Sequence, residues 1–105
     1  MVAYDLYGSK GFTLFEVRLK VEECLKIFFE ERESAYQGVV YYRFGDNESE
    51  KFVLKHNIDP FDGEAVERKM GEYPVFLYVD MTTRSEEIRH LLGSDFCLLR
   101  HELYD

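Results

Sequence analysis

The sequence predicts an α+β domain: one sheet of about five mostly antiparallel strands carrying two helices on one face, in the order β-α-β-β-β-α-β. Three observations carry this expectation. Two Thr-x-x-Glu boxes, Thr13 to Glu16 and Thr83 to Glu86, each precede apolar residues at three- and four-residue spacing. Between them, residues 39–44 and 51–56 alternate with period two on either side of a turn cluster. Finally, Val75-Phe76-Leu77-Tyr78-Val79 is almost continuously apolar, as a strand at the centre of a sheet should be. With 105 residues, 46 % of them apolar, the chain suits a single domain, 1–105, with an ordinary core and no need of a metal or disulfide.

Val2 to Tyr7 reads as the first strand, stopped by Gly8-Ser9-Lys10-Gly11. The capping box at Thr13, with Phe12 and Val17 as a hydrophobic staple, starts a helix whose stripe is Leu14, Val17, Val21, Cys24 or Leu25, and Phe28. The pattern runs on to Glu33. Residues 15–21 also alternate like a strand, but cap and length favour the helix. In the hairpin that follows, Val40, Tyr42 and Phe44 share one face and Val39, Tyr41 and Arg43 the other. Gly45 to Ser49 forms its turn, and Phe52-Val53-Leu54 lies in its second strand. Residues 57–67, with Pro60 and Gly63, read as a long exposed loop running into a helical turn from Ala65 to Met70. A short helix with Ile88, Leu91 and Leu92 inward ends at Gly93, and Phe96 to Arg100 is the last strand.

Charge is the most informative functional feature. Twenty-one carboxylates against thirteen Lys and Arg give a formal charge of −8, and 16 % of the residues are aromatic, eight of them Tyr. Such a surface repels nucleic acid and anionic membrane and attracts cationic proteins, raising encounter rates by roughly 10 to 10³-fold. The same excess can also serve solubility alone. Cys24 and Cys97 sit in apolar neighbourhoods and read as buried free thiols. Residues 1–5 lack the basic start and apolar run of a secretory signal, no stretch is apolar enough for a span, and the expectation is a cytoplasmic protein.

No motif for catalysis or cofactor binding emerges. His56, His90 and His101 are scattered, Glu86 and Glu87 one turn before His90 read as a surface ion pair, and neither Cys has a basic activator, so no metal and no cofactor is expected. The turn Gly8 to Thr13 lacks the spacing of a phosphate loop. The acids, in contrast, gather in three places. Asp59, Asp62, Glu64 and Glu67 share a loop with Phe61 and hold no Lys or Arg among them; Glu30, Glu31 and Glu33 close the first helix; Asp46, Glu48 and Glu50 crown the hairpin near Tyr41 and Tyr42. Carboxylates at a helix C-terminus oppose its dipole, so their placement there hints at use.

Phe29-Glu30-Glu31-Arg32-Glu33-Ser34-Ala35-Tyr36-Gln37-Gly38 followed by Tyr41-Tyr42-Arg43, then Asn57 to Glu67 and Leu98-Leu99-Arg100-His101-Glu102, resembles small bacterial immunity proteins of polymorphic toxins, in particular those of contact-dependent growth inhibition systems. The resemblance implies a non-enzymatic cytosolic protein that binds a toxin domain and blocks it. A nuclease cleft is lined with cations, so an acidic filler fits such a toxin. The acids of the 57–67 loop, Asp59, Asp62, Glu64 and Glu67, would stand in for phosphates, with Glu30, Glu31, Glu33, Asp46 and Glu48 as further partner-binding acids and Tyr36, Tyr41, Tyr42 and Phe61 as buried anchors. Two other classes stay open: a small enzyme or ligand-binding domain with a pocket of Tyr42, Tyr78 and two carboxylates, and a regulatory subunit that recognises a basic protein unrelated to toxins.

Overall fold

The computed structural model describes residues 1–33, 40–57 and 71–105. Among these residues six strands and two helices follow in the order β1 (Val2–Ser9), α1 (Leu14–Leu25), β2 (Glu30–Glu33), β3 (Val40–Gly45), β4 (Lys51–His56), β5 (Val75–Thr82), α2 (Ser85–Leu92) and β6 (Cys97–Tyr104), with a 3₁₀ turn at Gly93–Asp95 before β6. They make one open sheet in the order β2-β3-β4-β5-β1-β6, and every neighbouring pair is antiparallel. The architecture is the predicted α+β one, with a sixth strand.

That strand is the main correction. The first helix ends at Leu25, where Lys26 takes a left-handed conformation (φ 57°), and Glu30–Glu33 is a strand and not the last turn of a helix. The physical reason lies in the core. Ile27 and Phe29 are buried just after the helix, and the Phe29 N–H donates to the Glu22 carboxylate at 2.8 Å, so the chain is turned back and tied down within a few residues. Three carboxylates thereby escape the negative end of the helix dipole. Phe28, expected on the inner stripe, is instead 85 % exposed.

The Thr13 capping box forms as predicted, with the Glu16 N–H on the Thr13 hydroxyl (3.1 Å) and the Thr13 N–H on the Glu16 carboxylate (2.9 Å). The second box does not form. The N-cap of α2 is Arg84 without a side-chain cap; its N–H donates to the Thr82 hydroxyl at 3.1 Å. β1, β5 and β6 also run further than predicted, to Ser9, Thr82 and Tyr104. Cys97 is exposed and Cys24 half-buried, so the thiols are free as expected but neither is fully buried.

Register assigns the faces. Tyr42 pairs with Leu54, Leu54 with Leu77 and Leu77 with Tyr7, and since opposed residues point the same way, these form one row across the sheet. That row, with Phe52, Val75 and Val79, joins Leu14, Val17, Val21 and Leu25 of α1 and Ile88 and Leu92 of α2 in a single core cluster, which puts both helices on this face. Leu6 and Phe76 are buried on the opposite face, so the central apolar strand is covered on both sides, as its composition predicts. Gly45 is the one residue its turn accepts: φ is +95° and a Cβ would stand 2.3 Å from the Glu50 carbonyl oxygen.

A clamp fastens β4 to the start of α2. Arg84 binds Glu50 through Nη2 (2.8 Å) and Nε (3.0 Å), and the Thr82 hydroxyl donates to the same carboxylate at 2.7 Å. Burial pushes the Glu50 carboxyl upward, but the bonds from Arg84 and Thr82 outweigh it and hold the group below its ordinary value of 4.5. A depressed carboxyl contributes stability above the unfolded-state value and loses it as pH falls through the folded one. The stability gap between the parent and Glu50→Gln, followed by urea unfolding against pH, should therefore be widest near neutrality and close below about pH 4.5.

Candidate functional site

The acidic segment that sequence reading placed on a helix lies along one edge of the sheet. In β2, Glu30 pairs with Arg43, Glu31 with Tyr42, Arg32 with Tyr41 and Glu33 with Val40. All four β2 residues are exposed. Glu31 and Glu33 share the helix-bearing face, about 6.7 Å apart along the strand, while Glu30 and Arg32 point to the other face and form an ion pair at 2.8 Å.

The edge is anchored from beneath. The Tyr42 ring is 4 % exposed and packs in the core against Phe29, with centroids 6.3 Å apart, and its hydroxyl donates to Glu31 at 3.2 Å. The Arg18 guanidinium lies 4.8 Å from the same ring and binds Glu22 at 3.3 Å, the carboxylate that also receives the Phe29 N–H. Tyr42 thus positions Glu31 from inside and presents no ring to a partner. The aromatic group that does face outward here is Phe28.

Beyond the Glu30 end of β2 stands the hairpin tip. Asp46 accepts the Glu48 N–H at 2.9 Å and the Ser49 hydroxyl at 3.0 Å, and the backbone bond foremost holds its carboxyl below the usual carboxylate range. Its role is that of a turn-forming residue. Glu48 is exposed beside it, Glu50 belongs to the Arg84 clamp, and Tyr41 is half-buried on the face away from the helices. Glu30, Glu31 and Glu33 therefore share an edge, Asp46 and Glu48 sit past one end of it, and Tyr42 lies under it. Tyr36, Asp59, Phe61, Asp62, Glu64 and Glu67 fall outside the described residues. Tyr42 and Tyr78 are on opposite faces of the sheet, because Tyr78 pairs with Val53 and Leu6 while Tyr42 pairs with Leu54, so they line no common pocket.

Sequence reading missed a polar cluster on the helix side. Asp5 is 2 % exposed on β1; the Ser85 hydroxyl at the start of α2 donates to its Oδ2, and His101 Nδ1 on β6 lies 2.5 Å from its Oδ1. Ser85 Oγ is also 3.4 Å from Nδ1. The residue types are those of a hydrolase triad, but the connectivity differs: a nucleophilic Ser must face the ring nitrogen that the carboxylate leaves free, and here both oxygens crowd the same one. What the three make is a clamp joining β1, α2 and β6. Tyr7, two positions along β1, is 1 % exposed, and among the described residues no group reaches its hydroxyl. Burial first, with Asp5 adding, pushes Tyr7 up to about 12, so it stays protonated across the neutral range. The one sequence signal for this cluster is Asp5 itself, a carboxylate alternating in phase with Ala3 and Tyr7.

An open cleft of about 310 Å³ is lined by Gly8, Lys10, Phe12, Tyr73, Ser94, Asp95 and Cys97. Lys10 there is engaged by Glu72 at 2.9 Å and by the Tyr73 ring at 4.6 Å. Among the described residues, no three of His, Cys, Asp and Glu gather to hold a metal ion, and no helix is long and apolar enough to cross a membrane. His101→Ala should cost about 2 kcal/mol in urea unfolding, because it strips a buried carboxylate of a charge-assisted partner. Asp5→Ala combined with it should cost clearly less than the two single losses added together. Comparison with protein-family models, with curated proteins and with solved structures finds no match to this chain.

Proposed function

We propose that this chain is a non-enzymatic immunity-type protein that binds a cationic, ribonuclease-type toxin domain and occludes its active-site cleft. The observation that supports the reading best is the exposed edge strand Glu30–Glu33, where the buried Tyr42 holds the Glu31 carboxylate beside an outward Phe28, in a chain of charge −8. Charged side chains protect an edge strand from pairing. Here Glu31 and Glu33 stand about 6.7 Å apart on one face of the edge, while Glu30 on the other face is engaged by Arg32.

In this reading the mechanism is steric and electrostatic. The net charge accelerates encounter, and the β2 carboxylates take the positions that substrate phosphates would occupy among the toxin's Lys, Arg and His. Phe28 supplies apolar contact that slows dissociation, as buried aromatics do in protein interfaces. The Tyr42 hydroxyl orients the Glu31 carboxylate before docking, which limits the ordering entropy lost at that side chain. Asp59, Asp62, Glu64 and Glu67, with Phe61, lie outside the described residues and supply a second acidic set in this reading.

The test begins with co-purification of the protein with the effector domain encoded immediately upstream, and continues with association kinetics against ionic strength. Reversal of Glu30, Glu31 and Glu33 to Lys should slow association by about tenfold or more at low salt, with the deficit shrinking as salt is added. Unchanged kinetics would move the contact to residues 57–67, which the reversal of Asp59, Asp62, Glu64 and Glu67 examines separately. Failure of both sets to alter association or toxin protection would refute the decoy mechanism.

A further inference from the structure

The sheet has two edges, and they are built on opposite principles. β2 is short and carries Glu30, Glu31, Arg32 and Glu33, every one exposed. β6 is eight residues long, reads Cys-Leu-Leu-Arg-His-Glu-Leu-Tyr, and leaves Leu103 56 % and Tyr104 51 % exposed. Its inner side pairs with β1 from Val2 to Gly8, and among the described residues no strand pairs with its outer side. The strand holds no Pro and no Lys, and its exposed centre carries charges of both signs, so it can accept a strand of complementary charge.

We propose that β6 pairs with β6 of a second copy of this chain, antiparallel about a two-fold axis through His101, so that two sheets join into one. The charges select the occupant and the register. In such a two-fold pair, opposed residues lie on the same face, so the axis must pass through a residue position. An axis at Arg100 sets Arg against Arg, and one at Glu102 sets Glu against Glu, both unfavourable across a ladder. An axis at Leu103 leaves only the last few residues overlapping. With the axis at His101, Arg100 stands opposite Glu102 of the second copy, and Glu102 opposite its Arg100.

Those two side chains point to the same face and already pair within the strand at 3.2 Å, so each has its partner's chemistry at hand. The β6 bulge between the residues opposite Leu6 and Tyr7 limits the regular ladder to its centre, Arg100 to Glu102, where the charge pairs sit. Asp5 holds each His101 ring at Nδ1, on the helix side of the axis, away from the Arg and Glu side chains. Pairing at β6 leaves the β2 edges at the two ends of the joined sheet, so this inference stands whether or not the acidic edge binds a toxin.

The experiment is sedimentation equilibrium of the purified chain over a concentration series. The expected result is a reversible monomer–dimer equilibrium. Arg100→Glu and Glu102→Arg should each raise the dissociation constant about tenfold or more, since every reversal acts twice across the axis. The double exchange, Arg100→Glu with Glu102→Arg, should restore the parental value, and hydrogen exchange at Arg100 to Glu102 should slow as the dimer forms. Both side chains are well exposed, so the variants should fold, and circular dichroism checks this. A monomer at every concentration overturns the proposal, as does a dimer indifferent to both single reversals or one that the double exchange fails to restore.

Discussion

A carboxylate buried on the inner face of a strand is the constraint around which this molecule is arranged. Asp5 projects from β1 toward the helices at 2 % exposure, where an unpaired anion would cost several kcal/mol. It is tolerated because Ser85 and His101 reach it from two other elements. The sheet is shaped to let them. β5 carries an extra residue opposite the stretch from Ala3 to Asp5, with Met81 at φ 56°, and β6 carries one opposite Leu6 and Tyr7. Bulges on both neighbours sharpen the twist beside Asp5 and turn the flanking strands toward it. The Glu50–Arg84–Thr82 clamp repeats the logic at the other side of the same helix start, so α2 is seated by polar bonds at its N-terminus and by Ile88 and Leu92 along its length.

Much of this architecture is legible in the sequence because its signals are local. The Thr13 box, the period-two hairpin and the run Val75 to Val79 each announce an element through residues a few positions apart. The helix that stops at Leu25 is not legible in that way. Residues 26–33 contain good helix formers, and what ends the helix is a tertiary contract: Ile27 and Phe29 enter the core, and Glu22 captures the Phe29 amide. Tertiary burial overrides propensity here. At the second predicted cap the helix starts one residue beyond Thr83, with Arg84 at the N-cap position and its N–H on the Thr82 hydroxyl.

The acidic edge is legible in composition and only partly in placement. Glu30, Glu31 and Glu33 stand out as a cluster in the sequence, but their geometry on a strand edge follows from pairing with β3, which no local pattern encodes. Tyr42 shows the limit from the other side. A tyrosine in an acidic, aromatic neighbourhood reads as a binding anchor, yet its alternation with Phe44 and its pairing with Leu54 turn it inward, where its hydroxyl serves Glu31. Phe28 is the converse, an apolar residue in phase with the helical stripe that is left outside once the stripe ends. The Asp5 clamp spans sequence separations of 80 and 96, and such convergence has no one-dimensional signature.

The four-residue length of β2 has a bearing on motion. This strand is fastened by one short ladder, one tyrosine hydroxyl and the Phe29 ring, while β4, β5 and β1 are each zipped on both sides. Opening free energy in a folded chain is distributed by such ties, and the least-tied segment fluctuates before the globule melts. The acid-bearing margin is thus the portion of the sheet that peels first, and anything seated on it would quiet that fraying, gaining rigidity for the rim without remodelling the interior.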